Sequence, residues 1–302
     1  TENITRLMIS LAIPSVLAQI VNVLYNIVDR IYIGRIPGVG AVALTGVGVT
    51  FPIITIISAF SGFASGGGAP LAAIALGQGD RKRAERILGN CVSMLLFFTV
   101  ILMAFFFVFQ KPLLYVFGAS DNTIGYSSTY ISIYLLGTVF VELAVGLNTF
   151  ISAQGQARTA MFSVLIGAVV NIVLDPIFIF VFHMGVAGAA WGTLIARTLE
   201  MLVYLALLGS RRMYFSWNLR AALRLPGRTV RTFFVKASPL VANELLWSVG
   251  LNLYFWCYAR LDEASLPAIS IAEVCNMFAS ILASGTSAAV SVLIGTELDR
   301  KS

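Results

Sequence analysis

Apolar runs of about 20 residues recur along the chain, each long enough to cross the hydrocarbon core of a bilayer as a helix. They fall at about 7–33, 44–76, 87–109, 124–150, 159–182, 186–208, 232–258 and 268–295. Lipid offers the backbone no hydrogen bonds, so a crossing segment must be a helix or part of a closed barrel. No period-2 alternation supports a barrel. The expected fold is an all-α integral membrane bundle of eight spans. Only 11% of the residues are charged, less than half the share in a soluble domain. The run at 44–76 is too long for one straight crossing. Pro52 and the stretch Gly66-Gly67-Gly68 are expected to bend or break it. The first run carries Asn22, Asn26 and Asp29 and lacks a cleavage site, so it reads as a retained span rather than a signal peptide.

Connections alternate between the two sides of the membrane. With eight spans, the even connections and both termini share one side, with fifteen basic residues, Arg81, Lys82, Arg83 and Arg86 among them. The other side holds four: Arg30, Arg35, Lys111 and Arg260. Positive charge marks the cytoplasmic side, so both termini of this chain are expected there, in a multi-pass plasma (cytoplasmic) membrane protein. The net charge of +6 follows from this asymmetry and needs no nucleic-acid partner. The connection at about 209–231 holds six arginines and no acids, with Trp217, Leu219 and Leu223 at near-helical spacing. It reads as an amphipathic helix on the inner leaflet, or as a solvated basic loop.

This connection divides the chain into two bundles, 1–208 and 232–302, that begin alike. Gln19 follows Pro14 by five residues, as Glu244 follows Pro239, and Arg35 and Arg260 each follow twenty-one after their proline. Both units start on the inner side, the arrangement of a parallel repeat. The first unit, 1–208, would be a six-helix amino lobe. The second, 232–302, reads as the first two helices of a repeated carboxyl lobe, so the repeat is expected to be incomplete.

Six acids lie inside spans: Asp29, Glu142, Asp175, Glu200, Glu244 and Glu273. A carboxylate in hydrocarbon is costly and marks an ion or substrate path unless it has a local partner. Glu200 has one in prospect, Arg197, three residues away. Glu142 is expected to line a central cavity or to pair with Asn148. Glu142, Glu200, Glu244 and Glu273 are therefore candidates for a substrate cavity. Asn171-x-x-x-Asp175-Pro176 is the densest motif. Four residues bring the amide and the carboxylate onto one helix face, and Pro176 frees a carbonyl near Ile172. Such an oxygen-rich nook suits a hard cation such as Na⁺, or a proton. Depth agrees, because Asp29, Tyr130, Asp175 and Thr193 all lie roughly 6–11 Å below the outer surface at about 1.5 Å per residue.

Several classes are set aside. No P-loop is present, because glycine is never followed by lysine. Gly38-Val39-Gly40 opens a span and follows no strand, so it is not a dinucleotide loop. His183 is the only histidine and sits at an external span end, which leaves no catalytic triad. Cys91, Cys257 and Cys275 have no metal spacing. The chain is expected to be neither an enzyme nor a cofactor protein, and nothing in it sets an oligomeric state.

Pro14 together with Asp29-Arg30-Ile31-Tyr32-Ile33-Gly34-Arg35 resembles the first helix of the multidrug and toxic compound extrusion (MATE) family. Gln154-Gly155-Gln156-Ala157-Arg158 resembles its short inner turn between helices four and five. The stretch Asn171 to Pro176, followed by Met184-Gly185-Val186-Ala187-Gly188-Ala189-Ala190, is similar to its fifth and sixth helices. The resemblance implies twelve helices in two lobes and a secondary active exporter driven by Na⁺ or H⁺. Its substrates would be amphipathic, often cationic, drugs. It also implies an amino-lobe cation site at Asp29, Asn171, Asp175 and Thr193, with Tyr130 nearby. A flippase for lipid-linked oligosaccharides of related architecture is the alternative, and a non-transporting membrane scaffold is a further one. A flippase needs a cationic cavity for pyrophosphate, whereas the charges inside these spans are mainly acidic.

Overall fold

The computed structural model describes residues 4–210 and scattered positions between 213 and 281. The described residues are helical, without strands. The elements are α1 (Ile4–Gly34), α2 (Gly40–Val49), α3 (Phe51–Ala59), a π-helix (Phe63–Gly68), α4 (Ala69–Gly77), α5 (Arg81–Val116), α6 (Ile124–Ala153), α7 (Ala157–Pro176), a second π-helix (Ile177–Val181) and α8 (Val186–Gly209). Among the described residues, six segments are long and apolar enough to cross a membrane: Ala12–Gly34, Gly40–Ala59, Arg81–Val116, Ile124–Ala153, Ala157–Val181 and Val186–Gly209. Most of the two later spans and of the basic connection, with Glu244 and Glu273, lie outside the described residues.

The second run is broken where its sequence predicts. Thr50 separates α2 from α3, its hydroxyl donating to the Val47 carbonyl, and Pro52 sits in the first turn of α3. The Gly66–Gly68 stretch falls in the π-helix ahead of α4. Helix α5 is longer than its apolar core. Asp80 caps it by accepting from the Arg83 amide at 2.9 Å, and it continues past Lys111 and Pro112 to Val116. Charge ends hydrophobicity but not helicity, because water and headgroups satisfy those turns. Between α6 and α7 the chain reverses within three residues, Gln154 to Gln156, with Gly155 at φ +76°, a left-handed geometry that favours glycine.

Helix α6 is the centre of the bundle. It packs on α5, α7 and α8, and 67% of its span is buried against 17% for α1. Its core contacts are Leu143, Ala144, Leu147 and Phe150, against Leu88, Leu95 and Tyr204. Polar ties fix its register. Ser127 donates to the Gly46 carbonyl of α2 at 2.7 Å, and Ser132 donates to Gln110 Oε1 of α5 at 2.9 Å. Exposed Phe97, Val100, Ile101 and Val108 on α5 form the face expected against lipid.

Candidate functional site

Helix α7 is amphipathic with its polar side turned inward. Phe162, Leu165, Ile166, Val169 and Val173 are exposed, whereas Ser163, Gly167, Asn171 and Asp175, every fourth residue, are buried. That stripe faces α1 and α8, the helices α7 packs against most extensively. Each presents a stripe of its own: Asn22, Tyr25 and Asp29 on α1, and Thr193, Arg197, Glu200 and Tyr204 on α8. The three stripes meet inside the bundle.

At the outer end of this seam the structure brings together Asp29, Asn171, Asp175, Thr193 and Tyr130. Asp29 is 7% exposed and Asp175 0%. Their carboxyl groups lie within hydrogen-bonding reach of one another. Asn171 Nδ2 donates to Asp175 Oδ1 at 3.0 Å and to Thr193 Oγ1 at 3.4 Å. Tyr130 of α6 is buried within electrostatic range of both carboxyls. Among the described residues, no N–H or O–H donor reaches Asp29 Oδ1, Asp175 Oδ2 or Asn171 Oδ1. Two acids in contact within a bilayer require positive charge between them, a proton or a cation. The donors are carboxylate, amide and hydroxyl oxygens, a hard set suited to Na⁺ or H⁺. Among the described residues no three His, Cys, Asp or Glu side chains cluster, so nothing there favours a soft transition metal.

Pro176 does more than free one carbonyl. Helix α7 ends at this residue and the chain widens into the π-helix Ile177–Val181, where the Phe182 amide bonds the Ile177 carbonyl five residues back at 2.9 Å. Short π segments are frequent at functional sites. This one follows Asp175 directly.

A second polar group lies deeper. Arg197 forms the expected ion pair with Glu200, Nη1 to Oε2 at 2.7 Å. Its Nη2 donates to the Tyr25 hydroxyl and, at 3.4 Å, to Asn22 Oδ1, and the guanidinium lies 5.3 Å from the Tyr25 ring centroid. The Tyr204 hydroxyl donates to Glu200 Oε1 at 2.7 Å and accepts from Asn148 Nδ2 at 2.6 Å. The alternative pairing of Asn148 with Glu142 is therefore not formed. Glu142 is 1% exposed, with no donor on either oxygen, and it belongs to neither polar group.

The MatE family model matches residues 14–177. The chain belongs to the MatE family. It is 26% identical over 266 residues to the multidrug export protein MepA of Staphylococcus haemolyticus, over 87% of this chain and 58% of MepA. To the probable multidrug resistance protein YoeA of Bacillus subtilis it is 25% identical over 244 residues, 79% of this chain and 52% of YoeA. The chain thus spans a little over half the length of these curated relatives. Among solved structures, an outward-facing MATE multidrug resistance transporter aligns with TM-score 0.87 at 23% identity, over 99% of this chain and 68% of its own. A MATE structure in the bent conformation aligns with TM-score 0.86 at 24% identity, over 99% and 66%. Identities this low establish the shared fold.

Within this MatE chain two glycines shape the site: Gly188, which the sequence reading quoted only for the family resemblance, and Gly192, which it did not single out. A Cβ on Gly192 would overlap Asp175 Oδ1, and one on Gly188 would meet the Phe178 backbone at 2.8 Å. Their four-residue spacing is the Gly-x-x-x-Gly signature of close helix approach, and it was the available signal. It lets α8 lie directly on Asp175 and on the π turn after it.

Proposed function

We propose that this chain carries the amino-terminal, ion-coupling lobe of a secondary active exporter that moves H⁺ or Na⁺ inward to drive efflux of amphipathic, often cationic drugs. The carrying observation is the pair Asp29 and Asp175, buried and in contact, with two carboxyl oxygens that meet no donor. The names of the relatives, a multidrug export protein and a probable multidrug resistance protein, support the substrate class. In this reading residues 1–208 form one lobe, 209–231 a cytoplasmic connection and 232–302 the start of a second lobe. The fifteen-to-four split of basic residues supports placing both termini of the chain inside.

The cycle follows from charge. The Asp29–Asp175 pair, sharing one proton, carries a single negative charge, and a cation arriving from outside neutralises it, held with Asn171, Thr193 and Tyr130. Neutralisation removes that charge from between α1 and α7 and changes how they pack with α8. Exchange of one proton for one monovalent cationic drug is electroneutral, and each pH unit supplies about 1.4 kcal/mol, or tenfold. A neutral drug also draws about 2.3 kcal/mol per 100 mV.

Drug uptake into everted vesicles of cells expressing the intact gene, with Na⁺ and pH gradients imposed separately, tests this reading. Asp29→Asn and Asp175→Asn should each reach the membrane and abolish gradient-driven uptake. Wild-type uptake by both variants would refute the coupling site. In the same assay Glu244→Gln should weaken transport of cationic drugs more than neutral ones, and equal loss for both classes would make Glu244 part of ion coupling. The balanced Arg197–Glu200 pair leaves no surplus positive charge among the buried groups of the described spans, which weighs against a pyrophosphate flippase.

A further inference from the structure

On the inner side of Asp29 and Asp175, a small cavity with room for about one water-sized group lies between α1, α7 and α8. Its lining includes Tyr25, Gly167, Asn171, Thr193, Arg197 and Glu200. Asn171 belongs both to this cavity and to the aspartate group. Its Nδ2 is committed to Asp175 and Thr193, and its Oδ1, on a residue 1% exposed, meets no donor among the described residues. An acceptor left over in a membrane interior is costly unless something donates to it or coordinates it. Glu200, 3% exposed, also lines this cavity, its charge met by Arg197.

We propose that this cavity is a second stop for the coupling ion, a small monovalent cation (Na⁺ or hydronium) on its way inward. The ion passes from the aspartates to Asn171 Oδ1, Thr193 Oγ1 and the Glu200 carboxylate. Arg197 is the tethered counter-cation that Glu200 releases to receive it. The geometry gives the guanidinium somewhere to go, because Tyr25 and Asn22 already accept from its other nitrogen and the Tyr25 ring lies beneath it. The released Glu200 is not abandoned either, since Tyr204 holds its other oxygen. The exchange also reaches the first stop. Tyr25 sits one turn inward of Asp29 on α1, so a guanidinium that shifts onto Tyr25 and Asn22 acts on the helix that carries Asp29. The ion's inward passage is thereby linked to the position of α1. This proposal rests on the reading of Asp29 and Asp175 as the coupling site.

The test separates the two stops by reading binding and throughput independently, on the intact transporter. Binding is the shift in melting temperature of purified protein with added Na⁺, and separately with acid pH, since whatever binds the native state stabilises it. Throughput is the initial rate of drug uptake in everted vesicles under each gradient, which also tells Na⁺ from H⁺. The double variant R197Q/E200Q removes both charges together and leaves no unpaired ion. It should keep the ion-dependent melting shift and transport at least tenfold more slowly. Gly167→Ala keeps every polar group but places a methyl 3.3 Å from Glu200 Oε2. It should slow transport in the same way, and it serves if the double variant does not fold. Wild-type rates in these variants overturn the second stop. Loss of the melting shift in a folded double variant also overturns it, because the pair would then be a prop for the first site. Asp175→Asn should lose both readouts, and a variant that kept both would refute the coupling site itself.

Discussion

Asp175 is fully buried, and the residue facing it on α8, Gly192, has no side chain. Any Cβ there would overlap the carboxylate oxygen that Asn171 holds, so the smallest substitution tests the whole arrangement. Overpacking of this kind costs about 1–3 kcal/mol. Gly192→Ala should push Asp175 off Asn171 and lower ion-driven transport about tenfold or more, with the protein still in the membrane. Transport kinetics against membrane abundance by immunoblot would check it. A wild-type rate would mean that α8 yields instead of Asp175. Arg197 and Glu200 contrast with the aspartates at the same scale. Each has several partners, and a satisfied buried pair of this kind adds little net stability, because desolvation offsets most of the attraction. A network that contributes so little to the fold can be altered to read function.

Helix α7 carries three features that depend on one another: an inward polar stripe, Pro176, and the π turn that follows. Proline inside a helix costs about 3 kcal/mol and removes the hydrogen bond its amide would have made. Pro176→Ala restores that amide opposite the Ile172 carbonyl. Continuation of the α-helix through Ile177–Val181 would then re-aim Asp175 by changing the turn on which it sits. We expect the variant to melt at the wild-type temperature or higher and to transport more slowly. A lower melting temperature would show that the π turn contributes to stability through its contact with Gly188. Helix α5 illustrates a different compromise. Arg81, Lys82, Arg83 and Arg86 occupy its first turns, where the helix dipole disfavours positive charge by some tenths of a kcal/mol each. Asp80 offsets part of this through its cap. The remainder is tolerated because those same charges set which side of the membrane this end occupies.

At the scale of the molecule, orientation is the property that every step of the proposed cycle requires. Gln78 and Asp121 are exposed at opposite ends of α5, just beyond its termini, and their distance along the helix exceeds the bilayer core. In a cysteine-free background, Gln78→Cys should be protected from an impermeant thiol reagent in intact cells, and Asp121→Cys should be labelled. Replacing Gln78 removes no charge, although it frees Arg83 from a 3.0 Å contact. The reverse labelling pattern would invert the assignment of sides and with it the direction in which the ion is proposed to move.

The sequence alone located the six spans among the described residues, the positions of the breaks and the residues that meet in the outer polar group. Those features are local. Apolar length decides what crosses a bilayer, Pro52 and the Gly66–Gly68 stretch decide where a helix yields, and the four-residue spacing of Asn171 and Asp175 decides that they share a face. Depth below the surface could also be counted, because helices rise by a fixed amount per residue. What the sequence left open is which stripes meet. The side of α1 that faces α7 and the closeness of α8 are set by packing. Glu142 shows the limit: it is a span-borne, buried acid like the others, yet the fold leaves it apart from both polar groups. Asn148 was an available partner for it on the same helix, and the bundle gave Asn148 to Tyr204 instead. The cavity inward of Asp175 exists only because Gly167, Tyr25 and Arg197, from three different helices, border the same space. No periodicity in one helix can foretell a volume that three helices enclose, and that is why the tertiary structure was needed to see it.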